Sequence, residues 1–182
     1  MDAPLWVFGY GSLIWHPGFA VAEQETARLE GWHRSFCMDS IHYRGTETAP
    51  GLVLALDARP GACCHGVAFR VTPGQEAEAL AALRARELVS SAYRETRLPV
   101  ALAGGRRVEA LTFVIDPGHR QYRGGLSLEA QAAVIARAVG ERGPNCDYLF
   151  NTVAHLAALG IADPELDQLA ARVRALGAIA QR

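Results

Sequence analysis

The alternation of apolar and polar positions divides the chain into a strand-rich first half and a helical end. Leu5, Trp6, Val7 and Phe8 form a short bulky run that reads as a buried strand. It breaks into Gly9-Tyr10-Gly11-Ser12, then returns to large apolar residues at Leu13, Ile14 and Trp15. Strands are predicted over Thr26–Trp32 and His33–Met38, the second alternating through Phe36. The polar stretch Asp39–Pro50 reads as a loop, and Leu52–Leu56 as a continuously apolar strand. Pro60-Gly61 marks a turn over Asp57–Gly61. Cys64–Val71 follows as a strand with Val67, Phe69 and Val71 on one face.

A helix comes next, over Glu76–Val89. Thr72 is placed as its cap, Pro73 at its first position and Gln75 at the capping-box position. Tyr93–Ala101 and Arg107–Ile115 read as a hairpin closed at Gly104-Gly105. Asp116–Gly125 is a glycine-punctuated loop carrying His119, Arg120, Tyr122 and Arg123, which suits either a lid or a solvated loop. Three helices end the chain. One is capped by Ser127 and runs to about Val139. The second is capped by Asn145 and runs through Tyr148, Leu149, Val153 and Leu156. The third starts at Asp163-Pro164 and carries Leu166, Leu169, Val173 and Leu176 at helical spacing. Strands first and helices last indicate a single α+β domain over residues 1–182 rather than a doubly wound α/β sheet.

Composition narrows the function classes. The 182 residues are half hydrophobic, a fifth charged and carry a net charge of -1, as in an ordinary soluble globular protein. That balance gives no footprint for nucleic acid and no polybasic patch for a membrane surface. No apolar stretch spans a bilayer, and Met1-Asp2-Ala3-Pro4 lacks a basic leader, so the expected location is cytoplasmic. All 18 positive residues are Arg, which removes a Lys base, a Schiff base and a P-loop. Cys37, Cys63, Cys64 and Cys146 lack zinc spacing, and the six histidines show no paired metal spacing, so no metal is expected.

Two features carry chemistry. The glycines around Tyr10 allow positive φ and a close approach to a small polar ligand, or else make a plain bulge. A dinucleotide fingerprint fits poorly, because Ile14 stands at the third glycine position. Glu87 lies seven residues after Leu80 and four after Leu83, on the apolar stripe of its helix. A carboxylate there is either paired to Arg84 or Arg86, or raised in pKa toward acid–base work. Glu76, on the same stripe but in the first turn, suits the helix dipole, and Glu95 reads as exposed.

The stretch Trp6–Trp15 closely resembles the opening signature of the ChaC-type γ-glutamylcyclotransferases. Gly31-Trp32-His33-Arg34-Ser35-Phe36, His42-Tyr43-Arg44-Gly45 with Pro50-Gly51-Leu52-Val53, and Gly66–Arg70 continue the resemblance. So do Arg86-Glu87 with Tyr93, the loop tyrosine Tyr122, and Asp147-Tyr148-Leu149-Phe150. Glu141–Asn145 departs from it, looking shorter than the glycine-containing turn expected there. The resemblance implies a γ-glutamylcyclotransferase-like mixed β-barrel with helices packed outside. It also implies conversion of glutathione to 5-oxoproline and Cys-Gly without a cofactor. Glu87 is then the expected catalytic residue. Phe8, Gly9, Tyr10, Gly11, Ser12, Leu13, Arg44, Tyr93, Tyr122 and Tyr148 are the expected substrate-binding residues. Backbone N–H groups of Gly11, Ser12 and Leu13 would face an oxyanion or the substrate carboxylate, and Arg44 the glycyl carboxylate. Other γ-glutamyl amines as substrates, or a binding module without turnover, are the alternatives.

Overall fold

The computed structural model describes residues 3–180; Met1 and Asp2, read above for the lack of a leader, lie outside them. The chain forms strands β1 (Trp6–Gly9), β2 (Val21–Ser40), β3 (Gly51–Val71), β4 (Tyr93–Leu102) and β5 (Arg107–Ile115). Helix α1 (Glu76–Glu87) separates β3 from β4. After β5 come α2 (Leu128–Ile135), the two-residue strands β6 (Val139–Gly140) and β7 (Gly143–Pro144), α3 (Asn145–Ala158) and α4 (Pro164–Ala180). Strands β1 to β5 close into a barrel in the order β1-β3-β2-β4-β5. The architecture is therefore α+β, as expected.

Two compact units divide the chain: Met1–Arg34 with Leu56–His119, and Ser35–Ala55 with Arg120–Arg182. In the first, β1 pairs antiparallel with β3 (Val7 opposite Phe69) and parallel with β5 (Val7 opposite Leu111). The β4–β5 hairpin runs in unbroken register from Tyr93 opposite Ile115 to Ala101 opposite Arg107. Leu5, Val7, Leu13, Val71, Ala79, Leu83, Leu111 and Phe113 form one apolar cluster, with Phe19, Leu80 and Tyr93 packed against it. The second unit buries Ile135, Leu149, Leu156, Leu166, Leu169 and Val173, the inward stripes of α2, α3 and α4.

Several boundaries differ from the sequence pattern. The two strands expected over Thr26–Met38 are one, β2, because Gly31 (φ +83°) absorbs a kink without ending the strand. Pro60-Gly61 is not a turn. β3 runs through it with Gly61 at φ +81° and residues 58–61 exposed, where proline's missing N–H costs little. Thr72 does not cap α1. Gly74 has φ +87°, which a helix cannot contain, so Thr72–Gln75 is a tight turn in which Gln75 N–H donates to Thr72 O. The helix starts at Glu76, whose carboxylate accepts from Gly74 N–H at 2.8 Å, and ends at Glu87 rather than Val89.

Ser127 caps α2 as expected, accepting from Ala130 N–H, but α2 stops at Ile135 because Val139 enters the β6–β7 hairpin. That hairpin is the short turn over Glu141–Asn145. Asn145 does not cap α3. It is the helix's first residue, fully buried, and its side chain forms two bonds to Leu52. Oδ1 accepts from Leu52 N–H and Nδ2 donates to Leu52 O, each at 2.8 Å. Asp163 does cap α4, accepting from Leu166 N–H.

Candidate functional site

The Gly9–Ser12 turn is made by close packing and not by unusual backbone angles. Neither Gly9 nor Gly11 has positive φ, contrary to the sequence expectation. A Cβ on Gly9 would sit 3.1 Å from Leu13 Cβ and 3.2 Å from the Phe69 ring. Across the β1–β3 pair, a Cβ on Gly66 would meet Gly9 O at 2.3 Å and the Phe8 ring at 2.8 Å. The turn is then fixed by polar contacts. The Tyr10 hydroxyl donates to Phe113 O at 2.9 Å, and Thr112 Oγ1 donates to Phe8 O at 3.1 Å. Arg34, only 4% exposed, donates through Nη1 to Tyr10 O and to His65 O. Ser12–Ile14 forms a 3-10 turn in which Ile14 N–H donates to Gly11 O. The first N–H groups of such a turn, on Ser12 and Leu13, have no acceptor inside it.

Glu87 ends α1 one turn after the buried Leu83, and its side chain is 16% exposed. Burial pushes its carboxyl above the ordinary glutamate range, and the Arg86 guanidinium, with Nε 3.4 Å from Oε1, opposes this in part. Both sequence readings of Glu87 therefore hold together: it is paired, and it is raised. Arg84 is not its partner. Arg84 forms a bidentate pair with Glu95, Nε to Oε2 at 2.7 Å and Nη2 to Oε1 at 2.9 Å. Glu95 is consequently half-buried rather than exposed, and its carboxyl is held low by that bond. Arg86 reaches further, with Nη2 2.6 Å from Ser12 Oγ and Nη1 donating to His16 O. Tyr93 starts β4 against the apolar cluster that holds Leu83.

The raised Glu87 pKa has a consequence for stability. The folded protein holds this proton more tightly than the unfolded chain does. The group's stabilising contribution is thus complete below the usual value of 4.5 and is lost as pH rises through the raised value. Glu87→Gln is expected to unfold at a higher temperature than the parent near neutral pH. The two melting curves should converge below 4.5. Thermal unfolding across pH checks this, and a constant difference at every pH would contradict it.

The second unit holds Arg44, Tyr122 and Tyr148. Arg44 Nη1 donates to Arg142 O at 2.8 Å and Pro144 O at 3.1 Å, and its guanidinium lies over the Tyr148 ring at 5.8 Å. Tyr148 also meets Phe36 edge-on. Tyr122 bridges to Met38, and its hydroxyl folds over Gly124, where a Cβ would come within 1.9 Å of it. Within this unit, residues 121–123 of the loop are strapped to the end of β2 and are not simply solvated. Arg123 N–H donates to Cys37 O, Asp39 N–H to Gln121 O, and Arg123 pairs with Asp39 at 2.8 Å.

The structure thus gathers Ser12 and Glu87 around Arg86, and separately Arg44 with Tyr148. Sequence reasoning missed Arg34, although it shares the inward phase of Phe36 and Met38 on β2. It also named Arg86 as a possible ion-pair partner and as part of the Arg86-Glu87 segment, without a tie to Ser12. Among the described residues, no three His, Cys, Asp or Glu side chains converge as a metal would require. No described helix is long and apolar enough to cross a membrane.

The fold matches that of a γ-glutamyl cyclotransferase specific to glutathione from yeast. The TM-score is 0.86 at 23% identity, over 95% of this chain and 96% of that one. At the level of sequence, the chain belongs to the ChaC-like protein family, whose model matches residues 5–176. It is 38% identical to the glutathione-specific gamma-glutamylcyclotransferase of Escherichia coli, over 96% of this chain and 75% of that protein. It is 33% identical to the human glutathione-specific gamma-glutamylcyclotransferase 1, over 95% of this chain and 78% of that protein.

Proposed function

We propose that this protein is a glutathione-specific γ-glutamylcyclotransferase, a lyase that releases 5-oxoproline and Cys-Gly. The observation that carries the reading is Glu87, a carboxylate buried and raised in pKa at the end of α1 and linked through Arg86 to the Ser12 turn. The names of the relatives in bacteria and man support the substrate.

The chemistry is intramolecular. The substrate's α-nitrogen forms a bond to its own γ-carbon, and the bond from that carbon to the cysteinyl nitrogen breaks. Well-oriented attack of this kind offsets about 7–11 kcal/mol of barrier. Two protons leave the α-ammonium and two reach the departing nitrogen, and Glu87 carries them in turn as base and then acid. A pKa above the ordinary carboxylate range suits both roles. The N–H groups of Gly11, Ser12 and Leu13 are assigned to the developing oxyanion or the substrate's α-carboxylate. Phe8, Gly9, Tyr10 and Tyr93 shape the γ-glutamyl site. For Arg44, Tyr122 and Tyr148 the assignment to substrate binding rests on the resemblance alone. The four free thiols suit a reducing, cytoplasmic setting.

The test is incubation with reduced glutathione and detection of 5-oxoproline and Cys-Gly, beside a panel of γ-glutamyl amines. Turnover of glutathione above γ-glutamyl-alanine is expected. The reverse order would reassign the substrate, and saturable binding without product would leave a binding module.

A further inference from the structure

We propose that Arg86 is a positioning residue that joins the Ser12 turn to the Glu87 carboxylate, so that the turn's donors and the base are held as one unit. The inference rests on the cyclotransferase reading above. The three guanidinium nitrogens face three different partners. Nη2 donates to Ser12 Oγ at 2.6 Å, Nη1 donates to His16 O, and Nε lies 3.4 Å from Glu87 Oε1. An arginine in the last turn of a helix is ordinarily explained by the helix dipole, with its head in solvent. Arg86 departs from that explanation. Its side chain is only 28% exposed, and it reaches partners 70 and 74 residues away in sequence to hold a loop. Arg84, two residues earlier and nearly opposite on the helix, is engaged by Glu95 and offers no substitute. A planar fork can hold three partners at fixed angles, whereas a lysine is a point charge.

The link has an electrostatic side. Arg86 is the charged group that acts on Glu87 and favours its ionised, proton-accepting form against burial. The titratable groups near this end of α1 include the Tyr93 phenol on β4, the Tyr10 phenol bonded to Phe113 O and the exposed His16 imidazole. Removing the guanidinium should therefore loosen the turn and also move the acid limb of the pH profile upward.

The experiment measures kcat/KM for glutathione against pH in the parent, Arg86→Gln, Arg86→Lys, Ser12→Ala and Ser12→Ala/Arg86→Gln, with melting temperatures for each. Arg86→Gln is expected to fall by up to about 100-fold near neutral pH, the scale of a small misplacement, with its acid limb at higher pH and partial recovery above it. Arg86→Lys should keep the limb in place while losing part of the rate. The double variant should fall less than the product of the single effects, because both remove one link. An Arg86→Gln profile that overlies the parent, or an equal loss at every pH with strictly multiplicative double effects, would overturn the inference. Parent turnover with an inactive Glu87→Gln isolates that failure from the cyclotransferase reading. Absence of turnover in the parent would remove both.

Discussion

Glu87→Gln is expected to reduce 5-oxoproline release from glutathione by about 10²–10⁴-fold, the usual contribution of a positioned acid–base group. Glutamine keeps the volume and hydrogen-bonding reach of glutamate but can neither take the α-ammonium proton nor return it to the leaving nitrogen. The fold should survive, since the carboxylate is a burden near neutral pH, with its pKa raised by burial. The loss should appear in kcat more than in KM, because the amide can still occupy the space of the carboxylate. Product release measured by chromatography, with the melting temperature as control, decides the matter. Near-parental turnover by a folded Glu87→Gln protein would remove Glu87 from the mechanism.

Asn145→Ala is expected to produce the second large effect, on stability. The Asn145 amide satisfies both the N–H and the C=O of Leu52 at 2.8 Å, inside the second unit and fully buried. Truncation leaves two buried backbone groups without this partner, at about 1–3 kcal/mol each. The melting temperature of a chain this size should then fall by roughly 4–24 °C. Asn145→Asp should recover only the bond from Leu52 N–H and set an acceptor against Leu52 O. It is expected to melt below the parent as well. Unchanged melting in Asn145→Ala would mean that this pair of bonds contributes little.

The sequence carried the local features well. The β4–β5 hairpin was legible from its alternation and its Gly104-Gly105 turn, and the two strands pair as a hairpin. Ser127 was legible as a cap and Asp163-Pro164 as a helix start, because such signals act within three residues. Glu87 was legible because the phase of α1 alone places it beside Leu83. The misplaced features share a different property. Asn145 has the composition of a cap, yet its amide is taken by a strand 93 residues away. Pro60-Gly61 has the composition of a turn, yet barrel closure carries β3 straight through it.

By itself, then, the sequence determined the α+β order of elements, the family, and a carboxylate on the core side of a helix. These follow from periodicities and motifs that sterics and burial impose within a few turns of chain. Tertiary structure alone decided how the glycine turn is made and what holds Glu87. Gly66 leaves room for the Gly9 carbonyl, and Arg34 and Phe113 fix Tyr10 from other strands. Arg86 could have faced solvent, as helix-end arginines do. Only the folding of residues 12–16 against α1 put a hydroxyl and a carbonyl within its reach. A hydrogen bond forms over about 3 Å whatever the distance along the chain, so contacts of this kind leave no periodic trace in the sequence.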